Sequence, residues 1–289
     1  MNAKDFGTRP DHVGIHVYSL DEATKWCHDV FDFGLGFRIG LPIGHFPRAA
    51  FHLLGDFYFE IYEVRNPLPF SFDDYENSIG VKMAELSCID WEGWKQNAID
   101  YGVEFIYEDN TPGKEMAVVK GIADVPFQVS RDTLGESEEI KRGRWGMRVS
   151  GVKVTCYNIE ETAAWYGEIF GYESLQILPR ENFAYPRMGQ VMNNNVRLLM
   201  METPEAAPLN LYDFENNVGI KHIDFGMKDR CGWQEYAKEA DSKMPVIVSV
   251  AGPPKGDSMV HYVIDNNGML TEMSDEMFYV PEGTKRMDE

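Results

Sequence analysis

The chain nearly repeats itself at an offset of 139 residues, and that repeat constrains its fold more than any other feature. The segment DDYENSIGVKM, from Asp73 to Met83, returns as YDFENNVGIKH, from Tyr212 to His222. Trp26, Arg48 and Trp94 return as Trp165, Arg187 and Trp233. A fixed internal period means that one supersecondary plan is used more than once, so the fold must accommodate equivalent units. The copies diverge where chemistry would sit: Met83 becomes His222, and His12 becomes Gly151.

Each half contains the same succession of elements twice. The first unit opens with HVGIHVYS, whose alternation and β-branched residues read as a strand. LDEATKWCHDVFD follows, with apolar side chains at helical spacing behind an acidic first turn that suits the positive end of a helix dipole. After the Pro/Gly-rich GLPIGHFPR, the segment AAFHLLGDFYFEIYEV reads as two strands joined by a tight hairpin at Gly55-Asp56. The second unit runs through MAELSCID, a helix from Trp91 to Tyr101, VEFIYED, MAVVKGI and PFQVSRD. The third runs through GVKVTCYN, IEETAAWYGEIFG and NNVRLLMMETP. The fourth runs through HIDFGMKD, a helix around Trp233 to Ala240, PVIVSV and MVHYVIDNNGMLTEMSDE. The unit is βαβββ, used four times, which places the chain in the α+β class. The units span 8–67, 79–133, 148–204 and 218–280, and the polar LGESEEIKRGRWG separates an N-terminal half, 1–135, from a C-terminal half, 136–289.

A chain of 289 residues with 44% hydrophobic content can bury a sizeable core. A net charge of −20 and a pI near 4.7 argue against a nucleic-acid partner, which needs a positive surface, and against an anionic membrane surface. MNAKDFGTRPDH lacks the apolar run of a signal peptide, and no stretch approaches roughly 18 apolar residues. Cys27, Cys88, Cys156 and Cys231 form no CxxC pair, so neither a zinc ribbon nor a disulfide framework is expected. The expectation is a cytoplasmic protein with reduced thiols.

The four-unit plan resembles the vicinal oxygen chelate superfamily: glyoxalase I, methylmalonyl-CoA epimerase, type I extradiol dioxygenases and the bleomycin- and fosfomycin-resistance proteins. The resemblance covers nearly the whole chain. IDNNGMLTEM, from Ile264 to Met273, is close to that family's terminal hairpin, Asp-Pro-x-Gly followed by a Glu-hydrophobic pair, with Asn266 in place of the proline. It implies two cupped mixed sheets, each built from two βαβββ modules. In that family a module supplies up to two metal ligands, one at the start of its first strand and a carboxylate on its last. Transferred position by position, the first unit gives His12 and Glu60, the second Met83 and Gln128, the third Gly151 and Met200, and the fourth His222 and Glu272.

If neighbouring units paired, each cup would hold one histidine and one carboxylate, with at most Gln128 added. Stable sites for borderline divalent metals present three or four N/O ligands. Pairing the first unit with the fourth, a crossing also known in tandem members of the family, gathers His12, Glu60, His222 and Glu272 in one cup. The other cup, with Met83, Gln128, Gly151 and Met200, would then bind nothing. Crossed pairing is the expectation.

Two imidazoles and two carboxylates around one divalent ion (Fe, Zn, Mn, Ni or Co) leave two octahedral positions for adjacent substrate oxygens. A carbonyl bound there is polarised, the neighbouring C–H becomes acidic, and the enediolate is stabilised. The resemblance to glyoxalase I implies Glu60 or Glu272 as proton acceptor. The expected protein is a non-redox lyase or isomerase, monomeric or homodimeric, acting on a small molecule, with aromatic ones among the candidates. Strand alternation puts His16 and Asp224 on the same side as His12 and His222.

Tyr262 stands ten residues before Glu272, the spacing at which extradiol dioxygenases keep a catalytic tyrosine. Lys255 sits where the hydroquinone-cleaving branch keeps a cation. These matches define the rival expectation, a non-haem Fe(II) ring-cleaving dioxygenase using His12, His222 and Glu272, against which Glu60 stands as a fourth ligand. A metal-free ligand-sequestering module, like the resistance proteins, would lack such a ligand set. Arg48 and Arg187, each behind a proline in equivalent loops, are candidates to bind a carboxylate or to fix those loops.

Overall fold

The computed structural model describes residues 3–43, 46–68, 70, 77–135, 140–179, 187–209, 216–241, 246–251 and 258–275. Every unit runs strand, helix and three strands. The first comprises β1 (Arg9–Val17), α1 (Leu20–Phe31), β2 (Gly34–Ile43), β3 (Phe46–Leu54) and β4 (Phe57–Glu63). The second comprises β5 (Gly80–Cys88), α2 (Trp91–Tyr101), β6 (Phe105–Asp109), β7 (Met116–Lys120) and β8 (Pro126–Arg131). The third comprises β9 (Arg148–Cys156), α3 (Ile159–Phe170), β10 (Gln176–Ile177), β11 (Met188–Asn193) and β12 (Val196–Glu202). The fourth comprises β13 (Gly219–Met227), α4 (Arg230–Ala240), β14 (Val246–Ala251), β15 (Ser258–Ile264) and β16 (Leu270–Asp275).

The helices start where the sequence supplies a cap. Ser19, Asp90, Asn158 and Asp229 hold equivalent positions, and each side chain accepts the backbone N–H three residues on, from Glu22, Gly93, Glu161 and Gly232. Such caps satisfy donors that the first helical turn leaves open. α4 begins at Arg230, about a turn before the Trp233 start suggested by apolar spacing, because Asp229 is its cap.

The strands form two eight-stranded sheets, ordered β14-β15-β16-β13-β1-β4-β3-β2 and β10-β11-β12-β9-β5-β8-β7-β6. The first sheet is therefore built from the first and fourth units, joined by the antiparallel pair β1–β13. The second is built from the middle two units, joined by β5–β9. The first unit meets the second, and the third meets the fourth, through their helices instead. Trp26 and Phe31 of α1 contact Phe127 of β8, with ring centroids 5.7 and 5.5 Å apart. Phe170 of α3 stacks on Phe225 of β13 at 3.9 Å and 15°. One continuous core results, with Val13, Ile15, Phe59 and Phe225 of the first sheet and Ala84, Phe127, Val152 and Leu198 of the second pointing into it. Burial of this helix-facing side of both sheets is the main stabilising contribution. The alternate residues of each strand are thereby left to the opposite, concave face.

Among the described residues no helix is long and apolar enough to cross a membrane. Lys255 lies outside the described residues.

Candidate metal centre

The centre is assembled from two rows of residues crossing the four central strands of the first sheet. In one row Tyr58, His12, Asp224, Glu272 and Tyr262 are successive register partners on β4, β1, β13, β16 and β15. In the next, Phe51, Glu60, Gly14 and His222 are partners on β3, β4, β1 and β13. Register partners share a face, so both imidazoles and both carboxylates project into one cup. The β1–β13 pair has local two-fold pseudosymmetry, which exchanges the His12–Asp224 pair with the His222–Gly14 pair.

The four side chains converge closely. Glu60 Oε2 lies 3.3 Å from His12 Nε2 and 3.6 Å from His222 Nε2. Glu272 Oε2 lies 3.8 Å from His12 Nε2 and 2.8 Å from His222 Nε2. One ligand atom from each of the four residues lies within 4.8 Å of all the others. These same four atoms are fully buried and none is aligned as a hydrogen bond. Buried polar atoms in native proteins are normally satisfied, so four such atoms aimed at one point fit a bound cation. Two nitrogens and two oxygens suit a borderline divalent ion.

Electrostatics make the same demand. Burial alone would lower the pKa of His222, yet Glu272 and Glu60 raise it to about 9. Burial likewise opposes protonation of His12, and Asp224, Asp11 and Glu272 push it well above the ordinary histidine value. Burial and mutual repulsion would raise Glu60, but the two imidazoles hold it below the usual range, and Glu272 is held lower still. The pair of buried carboxylates thus requires compensating positive charge, supplied by protons or by a metal.

Asp224 Oδ2 stands 3.3 Å from His12 Nδ1, the nitrogen facing away from the centre, with Asp11 Oδ2 at 3.6 Å. Ser274 Oγ donates to Asp224 Oδ2 at 2.8 Å. Burial raises the Asp224 carboxyl to about 6 despite His12. Tyr58 stacks on the His12 ring at 4.3 Å and 25°, fixing its plane. Tyr262 meets His222 edge-on at 5.6 Å and hydrogen-bonds Glu272; burial keeps its hydroxyl well above the usual tyrosine range, hence protonated. His16 lies further along the cup between Phe46 at 4.7 Å and Tyr62 at 5.8 Å, and burial holds it neutral.

Of the sequence candidates, His12, Glu60, His222 and Glu272 meet at one point, Asp224 and Tyr262 touch that set, and His16 stands beyond it. Arg48 and Arg187 are engaged within the fold: Arg48 pairs with Asp21 and Glu63, and Arg187 pairs with the equivalent Glu160 and Glu202. Asp11, Gly14, Tyr58 and Tyr62 were not singled out by sequence. Gly14, a glycine inside a strand, carried a readable signal of close approach.

The second cup corrects two expectations. Leu199, not Met200, occupies the register of Glu60, since Lys153 pairs with Leu199 as Gly14 pairs with Glu60. Met200 points into the helix-side core. Nor is this cup without polar chemistry. Glu85, the counterpart of Asp224, is fully buried and accepts a two-pronged contact from Arg197, with Nη2 at 3.0 Å from Oε1. Lys153 Nζ donates to Gln128 Oε1 at 2.7 Å and lies 3.5 Å from Glu85.

No family model matches the sequence, and no curated protein matches it. Solved structures do. Glyoxalase I from Zea mays aligns with a TM-score of 0.71 at 14% identity, covering 95% of this chain and 94% of that one. A proposed dioxygenase from Bacillus subtilis aligns with a TM-score of 0.65 at 12% identity, covering 92% of this chain and 84% of that one. The chain has the vicinal oxygen chelate fold. Its four modules follow glyoxalase I from Zea mays over nearly the full length of both chains.

Proposed function

We propose that the protein is a metal-dependent enzyme that moves a proton on a small hydroxycarbonyl compound without redox change, as an isomerase or lyase. The convergence of both carboxylates with both imidazoles carries this reading, because these four residues would hold a divalent ion by two nitrogens and two oxygens. A divalent ion held there supplies Lewis acidity to two neighbouring substrate oxygens.

This chain's own residues do the rest. Glu60 or Glu272 takes the proton from the hydroxyl-bearing carbon beside the carbonyl and returns it to the former carbonyl carbon, while the hydroxyl proton passes to the carbonyl oxygen, so the net change is an isomerisation. Tyr262 donates to Glu272 and steadies that carboxylate. Asp224 and Tyr58 orient His12 from behind and from its face. Phe46, Tyr62 and His16 line the cup beyond the centre and suit an apolar or aromatic substrate body.

The Tyr262–Glu272 contact also suits ring cleavage by non-haem Fe(II) with His12, His222 and Glu272, the second reading. A metal-free sequestering pocket is disfavoured because burying two carboxylates and two imidazoles without a cation is costly. Metal content after purification without added metal, followed by oxygen uptake with Fe(II) and catechols, separates the three. Zinc, nickel, cobalt or manganese without oxygen uptake supports the isomerase or lyase. Iron with oxygen uptake replaces it with the dioxygenase. Absence of metal from wild type, with no difference on His12→Ala or His222→Ala, removes both.

A further inference from the structure

The concave face of the second sheet carries a different chemistry from the metal cup. One row across it reads Gln190, Leu199, Lys153 and Met83, and the next reads Met192, Arg197, Gly151, Glu85, Gln128 and Val118. These two rows hold two cations, Lys153 and Arg197, against one carboxylate, Glu85. Glu85 uses both oxygens on Arg197, and Lys153 turns its best-formed hydrogen bond to the neutral Gln128. Burial pulls the Lys153 ammonium below its ordinary range even beside Glu85, so one positive charge at the cup floor lacks full compensation.

Around this floor stand methionines. Met83, Met188 and Met192 share its face by register, and Met116, partner of Ser130, extends it along β7. All four are half-buried and stand apart from the continuous helix-side core, although methionine is ordinarily an interior residue. Unbranched thioether side chains fill irregular space and repack around flexible apolar ligands.

We propose that this second cup binds a monocarboxylate with a flexible apolar tail, its head held by Lys153 and Arg197 and its tail covered by Met83, Met116, Met188 and Met192. A single negative charge matches the single excess cation, whereas a dianionic head would leave a charge uncompensated. The site is independent of the metal centre and of the reaction proposed there.

Octanoate is the probe, titrated into the full chain labelled at the methionine methyl carbons and followed by NMR and calorimetry. Saturable binding that shifts the Met83, Met116, Met188 and Met192 signals is expected, with no such shift from octanol or octyltrimethylammonium. Lys153→Gln should weaken octanoate binding roughly tenfold, the loss of one charge-assisted contact. Should that variant not fold, the headgroup comparison on the unaltered chain decides. Unmoved methyl signals at high octanoate, equal shifts from the ammonium analogue, or equal affinity in folded Lys153→Gln would overturn the proposal.

Discussion

The His222 ring occupies the space in which a side chain on Gly14 would begin: a Cβ there would stand 2.0 Å from His222 Cε1. The two residues are direct partners across β1 and β13. Glycine at this position therefore serves close approach rather than an unusual backbone angle. Gly14→Ala must displace the imidazole from Glu272 and Glu60. We expect metal stoichiometry to fall well below one per chain, and overpacking to cost on the order of 1–3 kcal/mol in urea unfolding. Full metal occupancy in the variant would show that His222 is not a ligand.

Asp224 acts on the same centre from the other side. With its carboxylate 3.3 Å from His12 Nδ1 and anchored by Ser274, it sets which nitrogen of His12 faces the centre. Asp224→Asn keeps the shape and removes the charge. Metal affinity, read by competition with a chelator, should drop about 10–100-fold while circular dichroism is unchanged. Unaltered affinity would leave Asp224 with a purely structural role.

Much of this was legible in the sequence, for physical reasons. Periodicity and caps such as Ser19 and Asn158 mark the four βαβββ units, and the vicinal oxygen chelate architecture follows from their order. The metal-ligand residue types fall only in the outer units, and the strand order puts β1 beside β13. Legibility ended where register and bulges decide. The run Leu198-Leu199-Met200-Met201 offers an apolar residue to either face, so only pairing with β9 shows that Leu199 fills the cup. Asp11 would point away from His12 by simple alternation, yet a register shift between Pro10 and His12 turns it toward Nδ1. The Glu85–Arg197 contact joins residues 112 apart and exists only because β5 and β9 pair.

A buried charge knot at the end of β8 predicts acid sensitivity. Asp132 accepts from Arg142 at 2.6 Å, Arg148 at 2.7 Å and Ser87 at 2.9 Å. Burial would raise its carboxyl, but the two guanidiniums hold it at about 2. A folded pKa below the unfolded value of about 3.9 contributes stability that is present above that pH and lost as the pH falls through about 2. The shift corresponds to about 2–3 kcal/mol. Asp132→Asn should therefore be less stable than wild type at pH 7 by at least that amount. The gap should narrow between about pH 4 and pH 2, measured by urea unfolding across that range. A gap independent of pH would remove the ion-pair explanation.

The second cup cannot be turned into a metal site by restoring its missing histidine. Gly151 is the repeat counterpart of His12, but a Cβ there would lie 2.4 Å from Arg197 Cγ and 2.7 Å from Glu85 Oε2. The Glu85–Arg197 pair fills the volume that an imidazole would need, and Lys153 already places a cation near where an ion would sit. Gly151→His must break that pair and strand a fully buried carboxylate, a loss on the order of 3–5 kcal/mol. We expect metal stoichiometry to stay at one per chain and the unfolding midpoint to fall. A second equivalent of tightly held metal, with stability retained, would show that the two cups remain interchangeable and that the ionic pair is no barrier between them.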